Sequence, residues 1–297
     1  MKYNRINIFV VGCTMKKAVT RAYAKINLSL DVLGKLENGY HEVKMVMQTV
    51  SVFDLVTVTQ IKEGIEISTN LPFLPKDKNN LAYKAAEAFF NYTGIKAGVH
   101  IDISKRIPVG AGLAGGSSNA SAVLKAMNKL FNTRLSLKEL CSIGVNIGAD
   151  VPYCVLGGTR LAEGIGEKLS PLPKIPQCYI LLVKPAFSIS TKTVYEKIDS
   201  ITDYRHPDTD SIIDGLYKSD IDKVATSMGN VLEEVSLADH PVLSTLKSEL
   251  MELGAIGAQM SGSGPTVFGI FKTEDEVKNA KQVLWGKYKT VYICTPV

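Results

Sequence analysis

The stretch Pro108-Val-Gly-Ala-Gly-Leu-Ala-Gly-Gly-Ser-Ser-Asn119 constrains this chain more than any other. Four glycines (Gly110, Gly112, Gly115, Gly116) lead directly into Val123, Leu124, Met127, Leu130 and Phe131, spaced as one apolar face of a helix. Ser117, Ser118 and Asn119 are residue types that cap a helix start. A glycine-rich turn that ends at a helix N-terminus leaves backbone N–H groups unpaired at the positive end of the helix dipole. That arrangement seats a phosphate. A flexible linker of similar composition would not run at once into an apolar stripe.

Three phosphate motifs compete for these glycines. Gly110, Gly112 and Gly115 fit the dinucleotide pattern G-x-G-x-x-G, which also needs an acidic residue about 20 residues on, ending a second strand. Here Ser136-Leu-Lys-Glu139 instead forms a capping box that opens another helix. A Walker A loop needs Lys-Ser/Thr after its last glycine, and Gly116 stands where that lysine belongs. The third pattern, Pro-x-Gly-x-Gly-Leu-x-(Gly)-Gly-Ser-Ser, fits, and it resembles the phosphate loop of the GHMP kinases.

At 297 residues the chain forms one large domain or two ordinary ones. Its 45% apolar and 21% charged content is that of a soluble globular protein. The net charge of +5 is scattered, which suits an anionic small molecule better than nucleic acid, whose binding calls for a clustered basic stripe. The five cysteines (Cys13, Cys141, Cys154, Cys178, Cys294) include no C-x-x-C pair, so a reducing cytoplasm is expected rather than disulfides or zinc. Ile6–Val11 is too short for a signal-peptide core, so residues 1–14 read as an extension of a core that could begin at Met15. No stretch approaches the roughly 20 apolar residues of a membrane span.

Along the chain, Arg21–Asp31 alternates strictly and predicts a half-buried strand with Lys25, Asn27, Ser29 and Asp31 on its polar face. Strands are predicted over Val43–Val52, Leu55–Gln60, Val99–Ile103 and Tyr153–Leu156, and a helix over Leu81–Tyr92, closed by Gly94. Three prolines in Leu169–Pro176 mark a boundary. It divides the chain into 1–172 and 173–297. Beyond it come a strand at Tyr179–Val183 and helices near 191–199, 209–217, 220–233 and 241–253. Strands at Ala255–Met260 and Thr266–Phe271, a helix over 274–285 and a strand at Lys289–Cys294 follow. Leaving aside some of the helices, the order β-α-β-β-α-β suggests a ferredoxin-like layer.

Phosphoryl transfer needs positive charge near the transferred group and a carboxylate for the acceptor's proton. Asp150, in Gly148-Ala-Asp-Val-Pro152, reads either as that base or as a capping aspartate, the commoner job beside Gly and Pro. Lys25 reads as a catalytic cation or as a lysine on a solvated strand face.

The resemblance extends through Ala24-Lys-Ile-Asn-Leu28, Gly39-Tyr-His41, Gly148–Pro152, Ala162-Glu-Gly-Ile-Gly166 and Ser261-Gly-Ser-Gly264, from about residue 20 to the C-terminus. Within the GHMP kinases these motifs resemble the branch whose acceptor carries a cytidine diphosphate. The resemblance implies an α+β fold of two domains: a ribosomal-protein-S5-like N-terminal domain that binds ATP, and a ferredoxin-like C-terminal domain. It implies a cytoplasmic enzyme, monomer or homodimer, that uses ATP and Mg²⁺ on a small-molecule substrate, a cytidine-diphosphate-linked methylerythritol. The 2-hydroxyl would be phosphorylated, in the methylerythritol phosphate route to isoprenoid precursors. No nucleic-acid or membrane partner is implied.

Residue by residue, the resemblance makes Asp150 the base and Lys25 its partner. Lys105, Pro108, Val109, Gly110, Ala111, Gly112, Leu113, Ala114, Gly115, Gly116, Ser117 and Ser118 would bind ATP, and Asn27, Tyr40 and His41 the substrate. Tyr195 would close an aromatic sandwich on the cytosine, or else be a core tyrosine on an amphipathic helix. Two departures stand out. Ala114 replaces a common glycine and is tolerable only at negative φ. No acidic residue is plainly a Mg²⁺ ligand, which leaves phosphates, waters and Ser117 or Ser118. Two alternatives remain: another GHMP kinase, of homoserine or mevalonate type, and a catalytically silent sensor on the same fold.

Overall fold

The computed structural model describes residues 16–37, 39–201 and 203–297; the expected extension over 1–14 lies outside them. Two long strands, β1 (Lys17–Lys35) and β2 (His41–Ile61), form an antiparallel hairpin. The two strands expected over 43–52 and 55–60 are one. Its register slips where Tyr23 pairs with Phe53 but Ala24 with Val50, so Ser51 and Val52 bulge and the alternation breaks without ending the strand. The half-buried β1 of the sequence reading is buried on both faces from Ala24 to Val32. Period-two polarity there marks a lined interior rather than solvent.

The first sheet runs β3 (Ile65–Thr69), β4 (Gly98–Ser104), β2, β1, with β5 (Thr159–Glu163) also on β2 and β6 (Lys168–Pro171) on β5. Strand β3, parallel to β4, has no counterpart in the sequence reading. Helix α1 (Leu81–Thr93) is capped by the Asn80 side chain and closed by left-handed Gly94, as expected. Helix α2 (Gly115–Leu130) starts earlier than its serines suggest, and its N-cap is Ala114. The capping box Ser136/Glu139 opens α3 (Leu137–Gly144). The strand expected at 153–156 is instead a short helix, α4 (Val151–Leu156). Pro152 in its first turn has a pre-set φ that suits helix, and a short apolar run carries no period to separate the two states.

The second sheet is fully antiparallel. It contains β7 (Tyr179–Lys184), β9 (Gly257–Met260), β10 (Val267–Phe271) and β11 (Thr290–Cys294), in the order β11-β7-β10-β9. That is the expected ferredoxin-like order. Between β7 and β9 lie α5 (Thr191–Ile198), α6 (Thr209–Tyr217), α7 (Ile221–Thr226), α8 (Glu233–Asp239) and α9 (Val242–Glu252); α10 (Glu274–Trp285) precedes β11. The helix expected over 220–233 breaks after α7. Gly229-Asn230 form a short strand, β8, parallel to β1 in the first sheet. Gly229 is needed there, because a Cβ would sit 2.7 Å from the Pro207 Cβ.

The two sheets share their cores. Ile26 and Leu28 of β1 pack in one apolar cluster with Ile180, Leu182, Phe268 and Ile270 of the second sheet. A separate cluster, including Phe89, Ile101, Leu124 and Met127, fixes α1 and α2 on the first sheet.

Candidate active site

A cavity of about 860 Å³ opens along the glycine loop, within the range of small-molecule sites. Residues 108–117 all line it, with Lys25, Lys105, Asp150, Tyr40, His41 and Tyr195. The structure therefore brings together most of the residues picked from sequence. Two do not reach the wall, Asn27 and Ser118.

The loop is clamped from both sides. The Lys25 N–H donates to the Leu113 carbonyl (3.2 Å), and the Ser261 hydroxyl to the Gly112 carbonyl (3.0 Å). Gly112 has φ 73°, and a Cβ there would lie 2.0 Å from the Ser261 carbonyl oxygen. Only glycine fits so close a backbone crossing. Ala114 overturns the expectation of negative φ: it sits at φ 55°. Holding an alanine left-handed costs about 1–2 kcal/mol, which the clamps offset. Ser118 turns away, its hydroxyl donating to the Tyr23 carbonyl (2.6 Å) and its N–H to Ala114 (2.8 Å). Ser117 is left as the hydroxyl on the cavity side.

Beneath the loop lies a fully buried carboxylate that no sequence pattern flags, Asp54. It accepts from the Lys105 ammonium (2.5 Å), the Asn119 amide (2.7 Å) and the N–H groups of Arg106 (2.6 Å) and Ile107 (2.8 Å). Lys105 also donates to the Asn119 Oδ1 (3.0 Å). One side chain thereby ties the chain entering the loop to the helix leaving it. Asp54 lies in β2, where an isolated acidic residue looks like an exposed edge position.

Lys25 is buried at 5% exposure, so its solvated-face reading fails. Its ammonium donates to the Asn27 Oδ1 (2.7 Å), and the Asn27 amide reaches the Met45 sulfur (3.4 Å). Asn27 is thus a support for Lys25 rather than part of the wall. Asp150 holds the N-cap position of α4, yet its side chain makes no capping bond. Both charges act on Cys154 of α4: burial pushes that thiol up, Asp150 pushes it further, and Lys25 and Lys125 pull it down.

At the other end, Tyr40 is largely exposed, while the His41 and Tyr195 rings meet at 4.9 Å and 41°. Burial and then the Asp150 carboxylate push the Tyr195 hydroxyl above its usual range, so this ring senses the Asp150 charge. Asp199, just past α5, accepts from Lys35 (2.6 Å) and lies 2.5 Å from the His41 Nε2. Those bonds, Lys35 first, hold its carboxyl below the usual range. An ionised carboxylate only accepts, so the proton sits on Nε2, and in the neutral ring Nδ1 is left as an acceptor. Asp199 lies 158 residues from His41 in sequence, with no local pattern to mark it.

Residues 80–158 match the GHMP kinases N terminal domain, and residues 212–289 the GHMP kinases C terminal family. The 4-diphosphocytidyl-2-C-methyl-D-erythritol kinase of Lachnospira eligens is 50% identical over 281 residues, 94% of this chain and 98% of that protein. Its counterpart in Clostridium kluyveri is 50% identical over 272 residues, 92% and 96% of the two chains. The chain belongs to this branch of the GHMP kinases. The kinase also superposes on a solved 4-(cytidine 5′-diphospho)-2C-methyl-D-erythritol kinase with a TM-score of 0.81, at 30% identity over 94% of this chain and 98% of that one. A homoserine kinase from Cytophaga hutchinsonii shares the fold of this kinase, with a TM-score of 0.77 at 20% identity. Among the described residues, no helix of the kinase is long and apolar enough to cross a membrane.

Proposed function

We propose that this kinase transfers the γ-phosphoryl group of ATP to the 2-hydroxyl of 4-(cytidine 5′-diphospho)-2-C-methyl-D-erythritol, a step toward isoprenoid precursors. The observation that carries this reading is one continuous cavity. It has the glycine loop, Lys25 and Asp150 together, and Tyr40, His41 and Tyr195 on its wall. We assign ATP binding to the half ending at 172. Support comes from β6 of the first sheet ending at Pro171 and the second sheet beginning at Tyr179, with only the two-residue β8 returning to the first sheet.

The loop from Gly110 to Ser117 cradles the phosphates at the start of α2, where the helix dipole favours negative charge. Asp150 accepts the proton of the acceptor hydroxyl as its oxygen bonds to the γ-phosphorus and the bond to the β-bridging oxygen breaks. Lys25 brings its positive charge to the same cavity and meets the charge on the transferred group. Asn27 holds Lys25 for this task. His41, its Nε2 turned to Asp199, offers Nδ1 to the polar edge of the cytosine, while Tyr40 and Tyr195 offer ring faces.

No cluster of three or more metal-binding side chains occurs among the described residues. A Mg²⁺ ion would be carried mainly by nucleotide phosphates and water, with Ser117, on the cavity side, as the protein oxygen. When bound, the ion neutralises charge on the β- and γ-phosphates.

A coupled ADP-release assay tests the reading: turnover should require the cytidyl substrate, and homoserine or mevalonate should not replace it. ATP turnover indifferent to the cytidine diphosphate would reject it.

Tyr40→Ala should weaken substrate binding by about 1–3 kcal/mol, roughly 5- to 150-fold, and spare ATP. Tyr40→Phe should cost little, because the ring face remains. Calorimetric titration with each ligand, beside a thermal melt, checks this; lower stability with unchanged substrate affinity would make Tyr40 a packing residue.

Gly112→Ala combines the backbone crossing at Ser261 with a left-handed φ, so it should displace the loop. ATP affinity should fall by at least tenfold, about 1.4 kcal/mol, and more than affinity for the cytidyl substrate. Equal losses for both ligands would separate the loop from ATP.

A further inference from the structure

A second cavity, of about 660 Å³, shares no lining residue with the first. The same elements line both at neighbouring positions. On β1, Lys25 faces the active-site cavity and Arg21 to Tyr23 the second; on α2, Ser117 faces the first and Ser118 the second. On α4, Asp150 at the N-cap belongs to the first, and Cys154 and Leu156 to the second.

The charged side chains of its wall are all of one sign, with the terminal residue Val297 beside them and paired to none of them. Arg21, Lys125, Arg160 and Lys174 line it, and no Asp or Glu does. Many other cations of the kinase have carboxylate partners, such as Lys105 with Asp54 or Lys223 with Asp214. Among the described residues none of these four has a carboxylate within ion-pair distance. Lys125 is part-buried, and its ammonium donates to the Cys154 carbonyl (3.2 Å), which leaves donors unspent. Arg160 spends its Nε on the Gly157 carbonyl (2.8 Å), leaving the guanidinium's terminal donors. Ser121 stands on the same wall, while the Thr49 and Thr159 hydroxyls there are spent on the Tyr153 hydroxyl and the Gln48 Oε1. Gathering like charges in a shared hollow is unfavourable unless an anion neutralises them. Burial already lowers the pKa of Lys125, the sign of an ammonium short of solvation.

We propose that this cavity is a second anion site, which takes a small polyanion of the phosphate or diphosphate class. Arg160 and Lys174 grip the anion at the rim and Lys125 at the floor. Leu156, Ile175 and Pro296 give the wall an apolar side that accepts the organic part of an ester.

Calorimetry with inorganic pyrophosphate tests this, with the nucleotide seat filled by a saturating non-hydrolysable ATP analogue. A site should remain under saturation. It should weaken about tenfold or more in Lys125→Met and in Arg160→Gln, each of which removes a charge-assisted hydrogen bond. Lys129→Gln, on the exposed last turn of α2, should change nothing. If Lys125→Met fails to fold by thermal melt, Arg160→Gln and Lys174→Gln carry the test. A butyl diphosphate arm distinguishes sources: tighter binding than pyrophosphate assigns the site to an ester, and equal binding to the inorganic anion. Loss of all pyrophosphate binding under saturation, or unchanged binding in well-folded variants, would overturn the proposal. The variant arm does not depend on the analogue, so a failure of the ATP assignment would be seen separately.

Discussion

Replacing Asp150 with Asn is expected to lower turnover by about 10²–10⁴, the usual worth of a positioned base, while both ligands bind within a few fold. Asparagine is nearly the same shape, and Asp150 makes no capping bond that its loss could break. The fold should therefore persist, and the effect should fall on kcat rather than on binding. Pre-steady-state ADP release together with calorimetric affinities would check it. A variant that turned over at close to the wild-type rate would leave Asp150 as a junction residue. Lys25→Met should show a related loss, since it removes a buried ammonium that faces the same cavity as Asp150.

The second large effect is on stability. Asp54→Ala removes the acceptor of four hydrogen bonds and strands the Lys105 ammonium in a buried site. Breaking a buried ion pair from one side typically costs about 3–5 kcal/mol. For a chain of this size that is a fall in melting temperature of roughly 6–20 °C. Asp54→Asn keeps an acceptor for the Arg106 and Ile107 N–H groups but loses the charge, so it should melt between the two. In that variant ATP affinity should fall more than substrate affinity, because the loose parts are the two ends of the glycine loop. An Asp54→Ala protein melting within 2 °C of wild type, on the order of 1 kcal/mol or less, would mean the cluster contributes little.

What the sequence makes legible is what local chemistry determines. The phosphate loop, the Asn80 and Ser136 caps, Gly94 and the order of the second sheet all follow from short patterns. Most of the motif residues also line one cavity. Misreadings occur where a distant partner decides. The alternation of β1 is correct, but its polar face is buried as well, under the glycine loop that Lys25 bonds at Leu113, so Lys25 is judged against the wrong solvent. Residues 220–233 have helical composition, yet the chain leaves the helix at Gly229 to pair with Ser29 and Leu30 far back in sequence. Ala114 is read by the steric rule for alanine, and its tethered neighbours override that rule. Asp54 and Asp199 act on groups more than 50 residues away, so no window of sequence contains both partners.

The small strand β8 has a mechanical consequence. The Asn230 amide next to that pairing donates to the Met260 and Gly262 carbonyls (2.9 and 2.8 Å), and Ser261 between them clamps the phosphate loop. A rigid-body hinge between the halves would have to tear this seam and open a shared apolar core. The weak ties lie instead at the cavity's rim by helix α5, in exposed ion pairs such as Lys35–Asp199. The molecule is built as a socket whose two halves are sewn together, rather than as a jaw.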